Sequence, residues 1–309
     1  MNRIWLRWWG CGAFDVRFGD VNIAFDPYLF GENLDNAQPI YDYIFISHEH
    51  FDHCHPKTLR KLCQGERFKR LFVPPGALWP DEPIDEKYGD AAFSRDLPIT
   101  KHVAADKIQV MYPKHQNELQ RGRPWAGTVH EREFPGPDEL DLGLLHVETI
   151  ESGENQRPDL PNLGFLVTHK ALDVSFLHIG DAWAAYPAMQ ALRGRVDFAI
   201  HMKLGLTPTT SDNQTTELED FVDYIRPHAL VPVHYRTDRK SDPVPEGHWP
   251  PNASDVGAFI EYYREKVGAQ TRVLPFTAGI EYAVTLPEKQ VEWQWEWVNT
   301  WDVPPWREG

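Results

Sequence analysis

The chain has 309 residues, of which 41% are hydrophobic, 25% charged and 13% aromatic, so a disordered or fibrous polypeptide is excluded and a large core is affordable. With 31 basic against 46 acidic side chains the formal charge is −15, which argues for no nucleic acid partner, because such affinity comes mainly from basic residues displacing counterions. Three cysteines are too few for a disulfide framework and no apolar run approaches the ~18 residues of a spanning helix, so the sequence reads as soluble and cytoplasmic, with no membrane span.

In chain order, residues 3–9, 13–18 and 21–26 read as successive strands, with Gly19-Asp20 as the last turn. Residues 43–47 form a buried strand that runs straight into His48. A short helix is expected from Pro56, where proline suits a first turn, to Cys63. Residues 74–123 are rich in proline, glycine and charge and read as an insertion or lid, with one strand near 107–112. Strand patterns return at 144–150, 163–169, 174–179 and 196–201, while 215–225 and 255–266 carry apolar residues at helical spacing. One domain over residues 1–288 is therefore expected. The tail, 289–309, differs: Trp293, Trp295, Trp297, Trp301 and Trp306 gather five of the 12 tryptophans there. Alternation at 293, 295 and 297 predicts an extended segment docking on the same chain or across a homo-oligomer interface.

His48-Glu49-His50-Phe51-Asp52-His53 is the most specific signal in the chain. After a strand, residues two apart point the same way, so His48 and His50 can aim both imidazoles at one metal. Asp52 and His53 then face a second metal if the chain turns into the helix near Pro56. His55 reads as an onlooker. Taken alone, Asp181 after Gly180 also fits a turn or a helix N-cap, and His234 also fits a hydrogen-bonded histidine at a strand end.

The hexapeptide resembles the His-x-His-x-Asp-His hallmark of the metallo-β-lactamase superfamily. Trp8-Trp9-Gly10 with Ala13-Phe14, and then Ala24-Phe25-Asp26-Pro27, resemble the opening of its branch containing L-ascorbate-6-phosphate lactonase. Phe176-Leu177-His178-Ile179-Gly180-Asp181 looks like the strand and loop that deliver a metal-bridging aspartate. Val231-Pro232-Val233-His234-Tyr235 looks like the strand end carrying the last metal histidine. The resemblance implies an α/β fold, a four-layer αββα sandwich with metals at one edge where strand ends meet. It implies two divalent metal ions (zinc, manganese or iron), one on His48 and His50, one on Asp52, His53 and His234, with Asp181 between them. Asp52 and Asp181 would form the catalytic centre of a hydrolase using a metal-bound hydroxide on a small-molecule substrate, here a small anionic lactone or ester. Phosphodiester hydrolysis of the phospholipase D type, and a non-catalytic metal-binding member of the fold, are the alternatives. Asp26 is expected to fix loop geometry, and His178 to pack or support the site from behind.

One residue departs from the pattern. Where the family's third histidine for the first metal belongs, the chain reads Ile150-Glu151-Ser152-Gly153-Glu154-Asn155. Glu154 would supply a hard carboxylate, leaning the site towards manganese or iron. His115 entering from the 74–123 segment, or a weak or absent first metal, are the other readings. With Glu154, three carboxylates and a hydroxide neutralise two divalent ions; a histidine would leave a net positive charge and a more acidic bound water. Lys203, and Arg236 beside Tyr235, Arg239 and Lys240, suggest recognition of an anionic substrate group.

Overall fold

Period-two patterning builds the first sheet: in β1 (Asn2–Gly10), Ile4, Leu6 and Trp8 are fully buried in the main core, while Arg7 between them pairs with charge on the other face. The computed structural model describes residues 2–29, 31–50, 52–78, 98–116, 134–152, 161–181, 185–202, 218–233, 264–267, 271–274, 276, 279, 281–286 and 295–298. After β1 come β2 (Ala13–Arg17), β3 (Asn22–Phe25), α1 (Gly31–Asn36), β4 (Tyr43–Phe45), α2 (Pro56–Leu62), β5 (Arg70–Val73), α3 (Pro75–Leu78) and β6 (Ile108–Val110). The second half holds β7 (Glu139–Asp141), β8 (Leu145–Glu151), β9 (Leu163–His169), β10 (Val174–His178), β11 (Phe198–Met202), α4 (Leu218–Ile225), β12 (Ala229–Val233), β13 (Arg272–Val273), β14 (Glu281–Leu286) and β15 (Trp295–Val298).

These strands form an eight-stranded sheet, ordered β15-β14-β1-β2-β3-β4-β5-β6, and a seven-stranded sheet, ordered β13-β12-β11-β10-β9-β8-β7. Both follow one plan. β1, β2 and β3 are antiparallel and β3 to β6 parallel; β8, β9 and β10 are antiparallel and β10 to β13 parallel. In a parallel run all carboxyl ends lie on one edge, so each sheet presents several loops side by side there.

The core lies between the sheets. Phe25, Phe45 and Phe72 stack across β3, β4 and β5 at centroid distances of 5.4 and 4.9 Å, and Phe165 of β9 meets Phe45 at 5.2 Å from the other sheet. On the outer face of the first sheet, α2 packs Leu59 and Leu62 in a cluster with Ile44, Ile46, Leu71 and Val73. On the second, α4 opens with Glu219 and Asp220 at its positive end and buries Leu218, Phe221, Val222 and Ile225 at i, i+3, i+4 and i+7. Helix, sheet, sheet, helix is the expected αββα sandwich.

The structure adjusts several expectations. The strand read over 43–47 ends at Phe45; Ile46 N–H makes a last bond to Phe72 O at 2.9 Å and Ser47 turns its N–H to Asp26. Within 74–123, the described residues 98–116 include β6, the edge strand of the larger sheet, and Ile99, Val103 and Met111 are buried; residues 79–97 and 117–123 lie outside the described residues. The helical pattern over 215–225 appears as α4 from Leu218, residues 215–217 being outside the described residues, as is most of 255–266. In the tail, β15 pairs antiparallel with β14 of the same chain, Trp297 opposite Tyr282 and Trp295 opposite Val284; Trp293, Trp301 and Trp306 lie outside the described residues. Among the described residues no helix is long and apolar enough to cross a membrane.

A buried polar joint fastens β1 to β2 and to the loop before β4. Asp15 Oδ2 accepts from Arg7 Nη2 at 2.8 Å, from the Tyr41 hydroxyl at 2.6 Å and from Trp9 Nε1 at 3.1 Å, and the Arg7 guanidinium lies 4.0 Å above the Trp9 ring. Asp15→Ala removes the counter-charge of a buried arginine and is expected to lower stability by about 3–5 kcal/mol, against about 1 kcal/mol for Tyr41→Phe. Urea midpoints of the two variants at unchanged slope would check this ordering.

Candidate metal centre

β3 is followed directly by Asp26, whose φ of 42° lies in the left-handed region that aspartate tolerates better than most residues. Its backbone N–H donates to Phe45 O at 2.8 Å, which sets it beside the end of the neighbouring β4. There its fully buried carboxylate accepts twice from Ser47: the backbone N–H reaches Oδ1 at 2.6 Å and the hydroxyl reaches Oδ2 at 2.5 Å. The Ser47 carbonyl in turn accepts from Leu163 N at 2.8 Å, tying the start of β9 to the same point.

From Ser47 the chain enters a tight turn in which the backbone N–H groups of His53 and Cys54 both donate to His50 O, at 3.0 and 2.8 Å. This turn gathers the three imidazoles: the His48 ring centroid is 4.4 Å from that of His50 and 4.1 Å from that of His53. β10 brings Asp181 against them from the other sheet. Asp181 Oδ1 lies 2.9 Å from His53 Nε2, and Oδ2 lies 3.8 Å from His48 Nε2; Asp52 Oδ2 is 3.7 Å from His53 Nε2. The two oxygens of one aspartate thus face two different histidines. His48, Asp52, His53 and Asp181 are buried, and His50 is half-buried, so the donors open outward on the His50 side.

One ligand atom each from His48, His50 and Asp181 fall within 4.8 Å of one another, and the same holds for Asp26, His48 and His53. In the second group Asp26 is committed to Ser47 and lies 2.7 Å from His53 Nδ1, so it orients the imidazole from behind. Imidazole nitrogens mixed with carboxylate oxygens suit zinc, iron or manganese. The electrostatics fit a cation too. Burial alone would strip the proton from His53, yet Asp181, Asp52 and Asp26 hold its pKa well above the usual histidine value. Negative charge converges on this point, and a divalent ion would offset it.

Two glycines and a histidine shape the cradle. A Cβ on Gly12, in the turn between β1 and β2, would lie 2.7 Å from His53 Cε1, and one on Gly180 would lie 2.7 Å from Ser47 Cβ; Gly180 also has φ of 59°. His178 donates from Nε2 to Gly12 O at 2.8 Å and accepts from Gly180 N at Nδ1, 3.2 Å, while stacking on Phe25 at 5.2 Å. Burial lowers its pKa, consistent with the neutral ring that this donor-and-acceptor pairing requires. His178 therefore joins the opening hairpin to the loop bearing Asp181.

His48, His50, Asp52, His53 and Asp181 are brought together as the sequence suggested. Glu154, Lys203, His234 and Arg236 lie outside the described residues; β12 ends one residue before His234 and β11 one before Lys203. His115, the alternative ligand, has its Nε2 2.8 Å from Glu148 Oε1, a carboxylate also gripped by Arg195 at 3.0 and 2.9 Å, and among the described residues it joins no donor group with His48. His55 is an onlooker, with Nδ1 2.7 Å from Thr58 Oγ1 and its pKa lowered to about 4 by burial and by Lys57. Ser47 was not singled out from the sequence; its only signal is a hydroxyl residue directly before the first histidine.

A family model described as a β-lactamase superfamily domain matches residues 5–234. A UPF0173 protein of Pyrococcus abyssi is 26% identical over 232 residues, covering 75% of this chain and 83% of its own. A UPF0173 metal-dependent hydrolase of Thermococcus onnurineus is 25% identical over 282 residues, covering 89% and 96%. Among solved structures, Igni18, a metallo hydrolase from Ignicoccus hospitalis, aligns with a TM-score of 0.51 at 16% identity, covering 91% of this chain and 98% of that one. The metallo-β-lactamase fold protein YhfI of Bacillus subtilis aligns at 0.52 and 11% identity, covering 92% and 100%.

The cradle makes a prediction. Gly12→Ala drives a methyl into the His53 ring and is expected to weaken metal retention about 10–100-fold, as loss of ligand support typically does. Competition against a chromophoric chelator would measure it, and unchanged affinity would show that the ring has room to move.

Proposed function

The chain belongs to the β-lactamase superfamily, and from that premise we propose that it is a metal-dependent hydrolase acting on a small anionic lactone or ester. The observation that carries this reading is the placement of Asp181, with Oδ1 2.9 Å from His53 Nε2 and Oδ2 3.8 Å from His48 Nε2, which suits one carboxylate shared by two metal positions. His48 and His50 would hold one ion, His53 and Asp52 the other, with Asp181 between; His234 and Glu154 complete the two sets in this reading. When bound, divalent metal supplies Lewis-acid polarisation of a substrate oxygen and a water of lowered pKa.

The protein's own contribution is orientation and exclusion of water. Four of the five described donors are buried on rigid strand ends, so their geometry is set before substrate arrives, and a preorganised site needs little rearrangement during the reaction. His50, on the open side, borders the approach to the centre. Lys203 and Arg236 would meet the substrate's anionic group; both follow directly or closely on strand ends, β11 and β12, in the sheet that carries Asp181. An acidic chain of net charge −15 repels anions in general, so such local cations would select where an anion can bind. The relatives named as hydrolases support the reaction class, and the opening Trp8-Trp9-Gly10 pattern supports the lactone preference.

Elemental analysis after growth with zinc, manganese and iron is expected to find bound metal, and His48→Ala and Asp181→Ala each to lose most of it together with turnover on a lactone and ester panel. Metal-free wild-type protein would defeat the reading. Glu154→His is expected to shift metal preference towards zinc, because imidazole is softer than carboxylate. Arg236→Ala is expected to raise KM for carboxylated or phosphorylated substrates and spare neutral esters; equal losses on both would remove its assigned role.

A further inference from the structure

Asp26 and Ser47 lie behind the donors and have no part in the metal sets above. An ionised carboxylate only accepts hydrogen bonds, and a hydroxyl has a single proton to give. Asp26 Oδ2 stands 2.5 Å from Ser47 Oγ and 2.7 Å from His53 Nδ1. Both contacts must therefore be donated to it: the hydroxyl proton of Ser47 is spent on Asp26, and His53 carries its proton on Nδ1. Having spent that proton, Ser47 Oγ can only accept from His48 Nδ1 at 2.9 Å, so His48 too carries its proton on Nδ1. With Nδ1 committed in each ring, Nε2 is the nitrogen left to offer a metal. Those are the nitrogens that face the two oxygens of Asp181.

We propose that Asp26 and Ser47 form one positioning device, in which a single carboxylate oxygen sets the tautomer of both His48 and His53, directly for one ring and through the serine hydroxyl for the other, so that both present Nε2 to metal. The device is locked on all sides. Asp26 Oδ1 is held by the Ser47 backbone N–H, the Ser47 carbonyl by Leu163 N, and Ser47 Cβ by the close approach of Gly180. Ser47 therefore has little freedom to rotate its hydroxyl to another partner. A direct bond and a relayed bond respond differently to substitution, which makes the two arms separable. Loss of the hydroxyl frees only the His48 arm, whereas an amide in place of the carboxylate puts an N–H₂ donor within reach of His53 Nδ1.

The inference rests on the reading that these histidines serve metal, and its test does not depend on turnover. In the metal-free full-length chain with ¹⁵N-labelled histidine, wild-type His48 and His53 are each expected to carry a proton on Nδ1, whether or not Asp181 also draws one onto His53 Nε2. Ser47→Ala is expected to give mixed tautomers at His48 with His53 unchanged; Asp26→Asn is expected to move the His53 proton to Nε2. Chelator competition on the same proteins is expected to show zinc held about 10–100-fold more weakly in both variants. Asn tolerates the left-handed backbone of position 26 and keeps its shape, so Asp26→Asn carries the test if Ser47→Ala does not fold. A bare Nδ1 on either wild-type ring, an unaltered His48 in Ser47→Ala, or altered tautomers with unaltered zinc affinity would each overturn the device. A wild-type chain with both tautomers as expected and no affinity for zinc, manganese or iron would instead overturn the metal-dependent reading while leaving the hydrogen-bond relay standing.

Discussion

A buried carboxylate has to be hydrogen-bonded on every side or it costs several kcal/mol, and in this protein the Asp26 carboxylate meets that demand by gathering the pieces of the site around itself. Its partners come from one short stretch, Ser47 to His53, but that stretch can reach it only because β3 and β4 run parallel and end side by side. Through the Ser47 carbonyl the same joint grips the start of β9, and through Gly180 it meets the loop after β10. The two sheets are pinned together at the point where the chemistry-bearing side chains converge.

That convergence follows from the shared plan of the two sheets. Each begins as an antiparallel meander and continues as a parallel run, and each parallel run delivers its carboxyl-terminal loops to one edge. Asp26 and the histidine motif leave the first sheet there, and Asp181 leaves the second. Packing the sheets face to face through Phe45 and Phe165 brings the two edges together. A site split between two sheets in this way is rigid, because moving any one donor would require shearing a close-packed aromatic core.

The electrostatics of the centre and of the whole chain pull in the same direction. The protein is strongly acidic, and at the centre Asp26, Asp52 and Asp181 outweigh the burial of His53. Such a concentration of carboxylates in a buried place is costly unless cations answer it, and elsewhere in the fold the answer is visible: Glu148 is met by Arg195, His115 and Lys114, and Asp15 by Arg7. At the centre imidazoles stand beside Asp181 and Asp52, and imidazoles are metal ligands.

Much of this was legible in the residues themselves. The His48 to His53 spacing, the strand leading into it and the Gly180-Asp181 turn are local patterns, and a local pattern survives being read one residue at a time. Apolar patterning located β1, β8, β9 and β10 to within a residue, because alternation marks β1 and nearly continuous burial marks the other three. What the sequence could not decide is which distant segments share a neighbourhood. That β6 completes a sheet depends on β5 offering a free parallel edge. That His115 meets Glu148 depends on where the strap after β6 crosses to β8. The role of Ser47 depends on Asp26, 21 residues earlier, arriving within 2.5 Å of its hydroxyl. Residue types and their periodicity determined the strands and the metal-binding chemistry; pairing across long loops, which is set by packing of the whole core and leaves no local signature, decided which side chains hold that chemistry in place.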